Sequence, residues 1–274
     1  MSNFEYLQKV SVGQYFPLGS WLHKRDPRVK LVGYSFLIVA LTLLLNIKGL
    51  LIGSAAVLLL LIISKTPWRY ALRGLLTPLP FLMILAAIQL FITPHLVSSI
   101  PLVKIFGFGI YPEGITAGIR LLVRFCILVT LLTVSSATLS TLEIIHGLDL
   151  LFAPLRKLGI RTGSSAMAIQ ITMRFIPFLA INAEKIAKAQ ASRGAEWGVK
   201  RGNLIKRVRQ FFPLIIPLFN NSLRQAETLA DAMLARGYTG NTKRTSLVEY
   251  RISIQDSIFL MLMVFVSVAI LLVK

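Results

Sequence analysis

Two arginines, Arg193 and Arg236, close two copies of one short pattern: Ala183-Glu184-Lys185-Ile186-Ala187-Lys188-Ala189-Gln190-Ala191-Ser192-Arg193-Gly194 and Ala226-Glu227-Thr228-Leu229-Ala230-Asp231-Ala232-Met233-Leu234-Ala235-Arg236-Gly237. Read as helix, each copy sets Ala with Ile or Leu three and four residues apart on one face. An acid lies about two turns before the arginine, and the final glycine suits a left-handed cap. A guanidinium in that place offers a planar, two-pronged grip on a carboxylate, which lysine provides poorly. The same residues also describe ordinary capping, because a cation complements the helix dipole and glycine enters the left-handed region without penalty. Capping accounts for the glycine. It does not account for the alanine-rich stem and the acid recurring in register.

A second arginine pair, Arg120 and Arg124, falls four residues apart in an apolar run and so shares a helix face. An arginine well inside a bilayer is a functional candidate. One that starts its span late instead snorkels to the interface, here with Glu113 nearby. The Gly114-Ile-Thr-Ala-Gly118 spacing beside them suits close helix packing.

Catalytic constellations are missing from the sequence. His23, His95 and His146 are scattered, and no His or carboxylate pair has metal-ligand spacing. No GxxxxGK[ST] occurs, so the chain has no P-loop to cradle a nucleotide, and Asp-rich pairs for Mg²⁺-diphosphate are absent too. The one cysteine, Cys126, lies in an apolar run and reads as a packing residue. The expectation is a chain without catalytic residues, metal ligands or cofactors of its own.

The elements that must position these arginines are membrane helices. With 55% hydrophobic residues and mean hydropathy +0.72, the chain reads as a polytopic, all-α integral membrane protein. About five spans are expected, at Val29–Asn46, Gly49–Ile63, Leu75–Ile92, Gly114–Ala137 and Ile254–Val273. The third is kinked by Pro78 and Pro80, and Pro112 and Glu113 open the fourth. The first thirty residues lack the apolar core of a secretory signal, so a retained N-terminus is expected.

Lysine and arginine crowd the N-terminal tail, the loop holding Lys65, Arg69 and Arg73, and the stretch between Leu139 and Ser253. The opposite side would hold only Lys48, Lys104 and Lys274. That asymmetry places the N-terminus and the central segment in the cytoplasm of a cell inner (plasma) membrane protein. The net charge of +19 then reflects a basic inner face against anionic lipid, with no call for nucleic acid.

Three regions follow: residues 1–138 with the tail and four spans, 139–253 as a cytoplasmic coupling domain of three helices, and 254–274 as the last span. Ser140-Thr-Leu-Glu143 has capping-box spacing for a helix stopping near Leu158-Gly159. Two long helices follow, about Ala166–Arg193 and Leu204–Arg236, each apolar in its first half and amphipathic in its second, with prolines at Pro177, Pro213 and Pro217. Ala183, Ala187, Ala226 and Ala230 are small enough for the two to cross closely.

Asp26-Pro-Arg28-Val-Lys30, Tyr111-Pro-Glu113-Gly114, Leu151-Phe-Ala-Pro154-Leu-Arg156-Lys-Leu-Gly159-Ile160, Arg174-Phe-Ile-Pro177 and the two Arg-Gly helix ends occur in that order. In order and spacing, from about Asp26 to Gly237, the chain resembles the transmembrane T component of energy-coupling factor transporters, an ABC-type importer family. The resemblance implies that Ser192, Arg193, Gly194, Ala235, Arg236 and Gly237 dock into two ABC-type ATPases, which bind the ATP and Mg. It implies a third partner too, a small substrate-binding membrane subunit lying on the apolar helix halves, and import of a vitamin or a transition-metal ion. Two other classes share a composition of this kind. A membrane-embedded enzyme would need polar residues converging at one depth. A self-contained secondary carrier would usually repeat among its spans, whereas the repeat here is cytoplasmic.

Overall fold

In the computed structural model the structure describes residues 15–16, 18–44, 46–92, 103–105, 108–154, 162–194, 204–238 and 252–273. They fall into two compact units, one holding the described residues of 13–151 with 252–273, the other those of 152–238. The architecture is all-α, apart from one small hairpin.

The first unit contains α1 (Pro27–Leu43), α2 (Ile47–Ser64), α3 (Trp68–Leu76), α4 (Leu79–Ile92), α5 (Pro112–Thr138), α6 (Thr141–Leu151) and α9 (Ile254–Leu272). Strands β1 (Val103–Ile105) and β2 (Phe108–Ile110) pair antiparallel between α4 and α5, Val103 opposite Ile110. Helix α1 is central, packing on α5, α6 and α9. Leu37 and Leu41 of α1 join Val57 of α2, Leu131 and Val134 of α5, and Met263 and Ile270 of α9 in one buried cluster.

Outside that cluster the pattern is the reverse of a water-soluble surface. Leu51, Ile62, Phe81, Met261, Phe265 and Leu272 are exposed, while Asp26, Lys30, Asp256 and Ser267 are buried. Such an apolar outer surface needs a bilayer as its solvent. Helices α2, α5 and α9 are long and apolar enough to cross one, and α3 with α4 is so only as a pair bent by 53°, the form of a broken span or a re-entrant loop. Helix α1, of 17 residues, reaches the lower end of the roughly 17–25 that a span requires. The bend falls at Thr77-Pro78, where Pro78 has no N–H to carry the helical ladder on, so the expected kink is present, and the bent pair starts at Trp68, before the expected Leu75.

Buried charge ties the helix ends together. Asp26 accepts from Arg28 N–H at 2.9 Å and caps α1. Its own N–H donates to Asp256 Oδ1 at 3.3 Å, and Arg25 lies 3.5 Å from the same carboxylate. Asp256 also completes the capping box of α9 with Ser253. Lys30, fully buried, donates to Glu143 Oε2 at 2.9 Å and to the Thr138 carbonyl at 3.1 Å. This explains why α6 belongs with the membrane helices. The regions 1–138, 139–253 and 254–274 expected from the sequence set it apart, but its capping glutamate is the counterion of α1, and residues 254–272 pack on α1 as well. Helix α6 ends at Leu151, shortly before Pro154, and the expected stop at Leu158-Gly159 lies outside the described residues.

The second unit is built on α7 (Thr162–Ser192) and α8 (Leu204–Ala235), which pack against each other. They have 31 and 32 residues, so each is roughly 47 Å long at 1.5 Å per residue. Both run through their interior prolines, Pro177 in one, Pro213 and Pro217 in the other. By length and composition α7 is also apolar enough to cross a membrane over Ala166–Ser192.

Candidate functional site

The two Arg-Gly ends are formed alike. Helix α7 stops at Ser192, with Arg193 N–H on the Gln190 carbonyl and Gly194 N–H on that of Ala191. Helix α8 stops at Ala235, with Gly237 N–H on the Leu234 carbonyl at 2.9 Å and Tyr238 N–H reaching back to Met233 at 2.9 Å. The second pattern is the paired return of a Schellman cap. Gly194 and Gly237 have φ of +83° and +76°, and no atom lies within 4 Å of where a Cβ would stand on either. Glycine is there for its backbone conformation, and no neighbour demands it.

The arginines are held differently from the glycines. Arg193 and Arg236 are exposed, as are Ser192 and Ala235 beside them, and among the described residues no carboxylate pairs with either guanidinium. Nothing in the cap requires arginine, because the bonds that end each helix are made by main chain. Arg236 also lines an open cavity of about 920 Å³ between α7 and α8, together with Arg174 and Arg224. These two were not among the expected site residues. Arg174 precedes Phe175 and Pro177 in a motif the sequence offered, whereas Arg224 reads as an ordinary solvated residue.

The four alanines are not placed alike. Ala226 and Ala230 line a second, apolar cavity of about 440 Å³ with Phe175, Leu179 and Met233. Ala183 and Ala187 lie outside the lining of both cavities. Ala187 is buried at 3% exposure, whereas Ala226 and Ala230 are exposed. The acids of the repeat differ in the same way. Glu184 is buried, with Lys188 Nζ 2.6 Å from its Oε1 in an ion contact that lacks hydrogen-bond alignment, while Glu227 is exposed.

In the membrane unit, Arg124 Nε donates to the Leu41 carbonyl of α1 at 3.1 Å and Arg120 Nε to that of Thr116 at 3.3 Å. Gly118, on the same helix, has the Ala86 carbonyl 3.3 Å from where its Cβ would stand, so α4 and α5 meet closely there. Among the described residues no group of three or more His, Cys, Asp or Glu side chains could hold a metal ion.

Comparison with known proteins gives this architecture a family. Residues 19–247 match the family described as cobalt transport protein, CbiQ. The energy-coupling factor transporter transmembrane protein EcfT of Clostridium kluyveri is 34% identical over 252 residues, which is 92% of each chain. The chain belongs to this T-component family. The T component of Thermotoga maritima is 34% identical over 267 residues, covering 97% of this chain and 94% of its own. That of Exiguobacterium sibiricum is 35% identical over 261 residues, or 92% and 94%. As a T component the chain is the transmembrane part of an energy-coupling factor transporter, a membrane transport protein that works with other subunits. The resemblance read from the motifs is thereby established at the level of the family.

Proposed function

We propose that this T component is the non-catalytic coupling subunit of an ATP-driven importer, and that the ends of α7 and α8 are where it engages two ABC-type ATPases. Arg193 and Arg236 enter acidic grooves on those partners, flanked by Ser192 and Gly194 and by Ala235 and Gly237. ATP and Mg are bound by the ATPases. The T component supplies shape and leverage.

One observation supports this most directly: two equivalent helix ends hold an exposed arginine that the cap itself does not use. Closure of the ATPases on ATP then draws the docked ends together, and the two packed helices pass that movement to a small substrate-binding membrane subunit. The exposed apolar residues of α8, Phe211, Phe212, Ile215, Ile216 and Phe219, offer that subunit a surface. The substrate class is a vitamin or a transition-metal ion. The N-terminus and the α7–α8 unit face the cytoplasm, in keeping with the distribution of basic residues.

The test is capture of the ATPases by the tagged chain in detergent. Wild type should retain both, and the variant carrying Arg193→Glu with Arg236→Glu should retain neither. Full retention by that variant would return both arginines to capping alone.

A further inference from the structure

A cavity of about 280 Å³ lies where α1 ends and α2 begins, against α4 and the first half of α5. It is lined by Arg120 and Arg124 together with the amides Asn46 and Gln89 and the apolar Leu44 and Phe125. Two arginines thus line one small space, and no carboxylate lines it among the described residues. Helices α1, α2 and α4 contain no Asp or Glu anywhere in their length. Arg124 spends its Nε on the Leu41 carbonyl, and its Nη2 is buried without a hydrogen-bond partner. A buried, charged donor without an acceptor is costly unless a ligand supplies one.

A second space adjoins the first. An almost wholly apolar groove of about 250 Å³ runs between α2 and α5, and it shares Leu50 and Arg120 with the cationic cavity. Its other walls include Leu51 and Ile119, both exposed on the bilayer-facing surface. A charged socket continuous with an apolar groove that opens to lipid has the layout of one molecule, a head group joined to an acyl chain.

We propose that Arg120 and Arg124 bind the phosphodiester of an anionic membrane phospholipid, with an acyl chain in the α2–α5 groove. Guanidinium matches phosphate in charge and in its two-pronged geometry. A volume just below the ~300–1,000 Å³ of ordinary small-molecule pockets suits a phosphate better than a larger ligand. Arg120 lies eight residues into α5, roughly 12 Å along its axis, and Arg124 one turn further. The phosphate sits level with Leu44 and Asn46, which line the same cavity where α1 ends and α2 begins, and so near that end of these two helices. In the orientation proposed above this is the outer leaflet.

The test uses the full chain purified in mild detergent and examined by native mass spectrometry, with phosphatidylglycerol, phosphatidylcholine and inorganic phosphate as separate probes. Wild type should retain phosphatidylglycerol, and the variant carrying Arg120→Gln with Arg124→Gln should bind it at least about tenfold more weakly. Phosphatidylcholine should bind more weakly than phosphatidylglycerol, and millimolar phosphate should not displace the lipid. Equal retention by the double variant would overturn the assignment. So would displacement by inorganic phosphate, which would make this a free-anion site. Should the double variant fail to fold, Ile119→Trp blocks the groove from its exposed side with both arginines intact. Loss of phosphatidylglycerol in that variant supports the proposal, and unchanged binding overturns it.

Discussion

Lys30 Nζ stands 2.9 Å from Glu143 Oε2, and the two side chains differ sharply in exposure, 0% for the lysine and 21% for the glutamate. The pair joins α1 to α6, and Glu143 holds the α6 cap as well, accepting from Ser140 N–H at 3.3 Å. Because the lysine is the more deeply buried partner, the two deletions are not equivalent.

Glu143→Ala leaves a buried ammonium without its counterion and removes half of a capping box, so a loss of about 3–5 kcal/mol is expected. Lys30→Met removes the buried charge itself and leaves a carboxylate that still touches water, so it should cost less. Thermal unfolding in detergent, run as a double-mutant cycle, checks this. The double variant should be more stable than the sum of the two singles implies.

The glycines at the helix ends make a separate prediction. Gly237 has φ +76° with open space around it, so Gly237→Ala meets no clash and suffers only the left-handed penalty of roughly 1–2 kcal/mol. Gly237→Asn, which tolerates that region, should lose less. Hydrogen exchange of the Leu234 to Tyr238 amides should report faster opening in the alanine variant and near-normal protection in the asparagine one. Equal exchange in all three would mean that the cap does not depend on glycine.

How far the sequence could be read depended on how far apart the interacting residues are. The capping box of Ser140 and Glu143, the break at Pro78 and the Arg-Gly ends are legible because each is decided within a few residues. The grouping of α6 with α1 was not, since Lys30 and Glu143 carry no mutual signal across the intervening chain. Arg120 and Arg124 could be placed on one face, but not beside the Leu41 carbonyl that takes one donor and leaves another without an acceptor. The alanines of the repeat show the limit most plainly. Pattern makes Ala187 and Ala230 equivalent, while tertiary neighbours bury the first and open the second.

That difference makes leucine act unlike at the two alanines. Ala187→Leu adds volume at a residue only 3% exposed, and overpacking of about 1–3 kcal/mol should follow. Ala230→Leu instead enters the 440 Å³ cavity beside Phe175 and Leu179, where room exists for it. Its melting temperature should match or exceed that of wild type, while that of the Ala187 variant falls. Equal destabilisation by both would show that the cavity closes in solution.

The arginines allow the strictest separation of docking from capping. Their main-chain caps form without the side chains, so Arg236→Lys should leave α8 intact, with hydrogen exchange of its last turn unchanged. Lysine keeps the positive charge near the helix C-terminus, a contribution of only about 0.3–1 kcal/mol in any case, but it lacks the fork that grips a carboxylate. If Arg236 docks in a desolvated acidic groove, its replacement by alanine should weaken ATPase capture by about 2–5 kcal/mol, and lysine should recover only part of that loss. Arg193 should behave in the same way at its own helix end. Full recovery by lysine at both positions would indicate long-range attraction to an acidic surface, and the affinity of the lysine variants should then fall as steeply with salt as that of wild type.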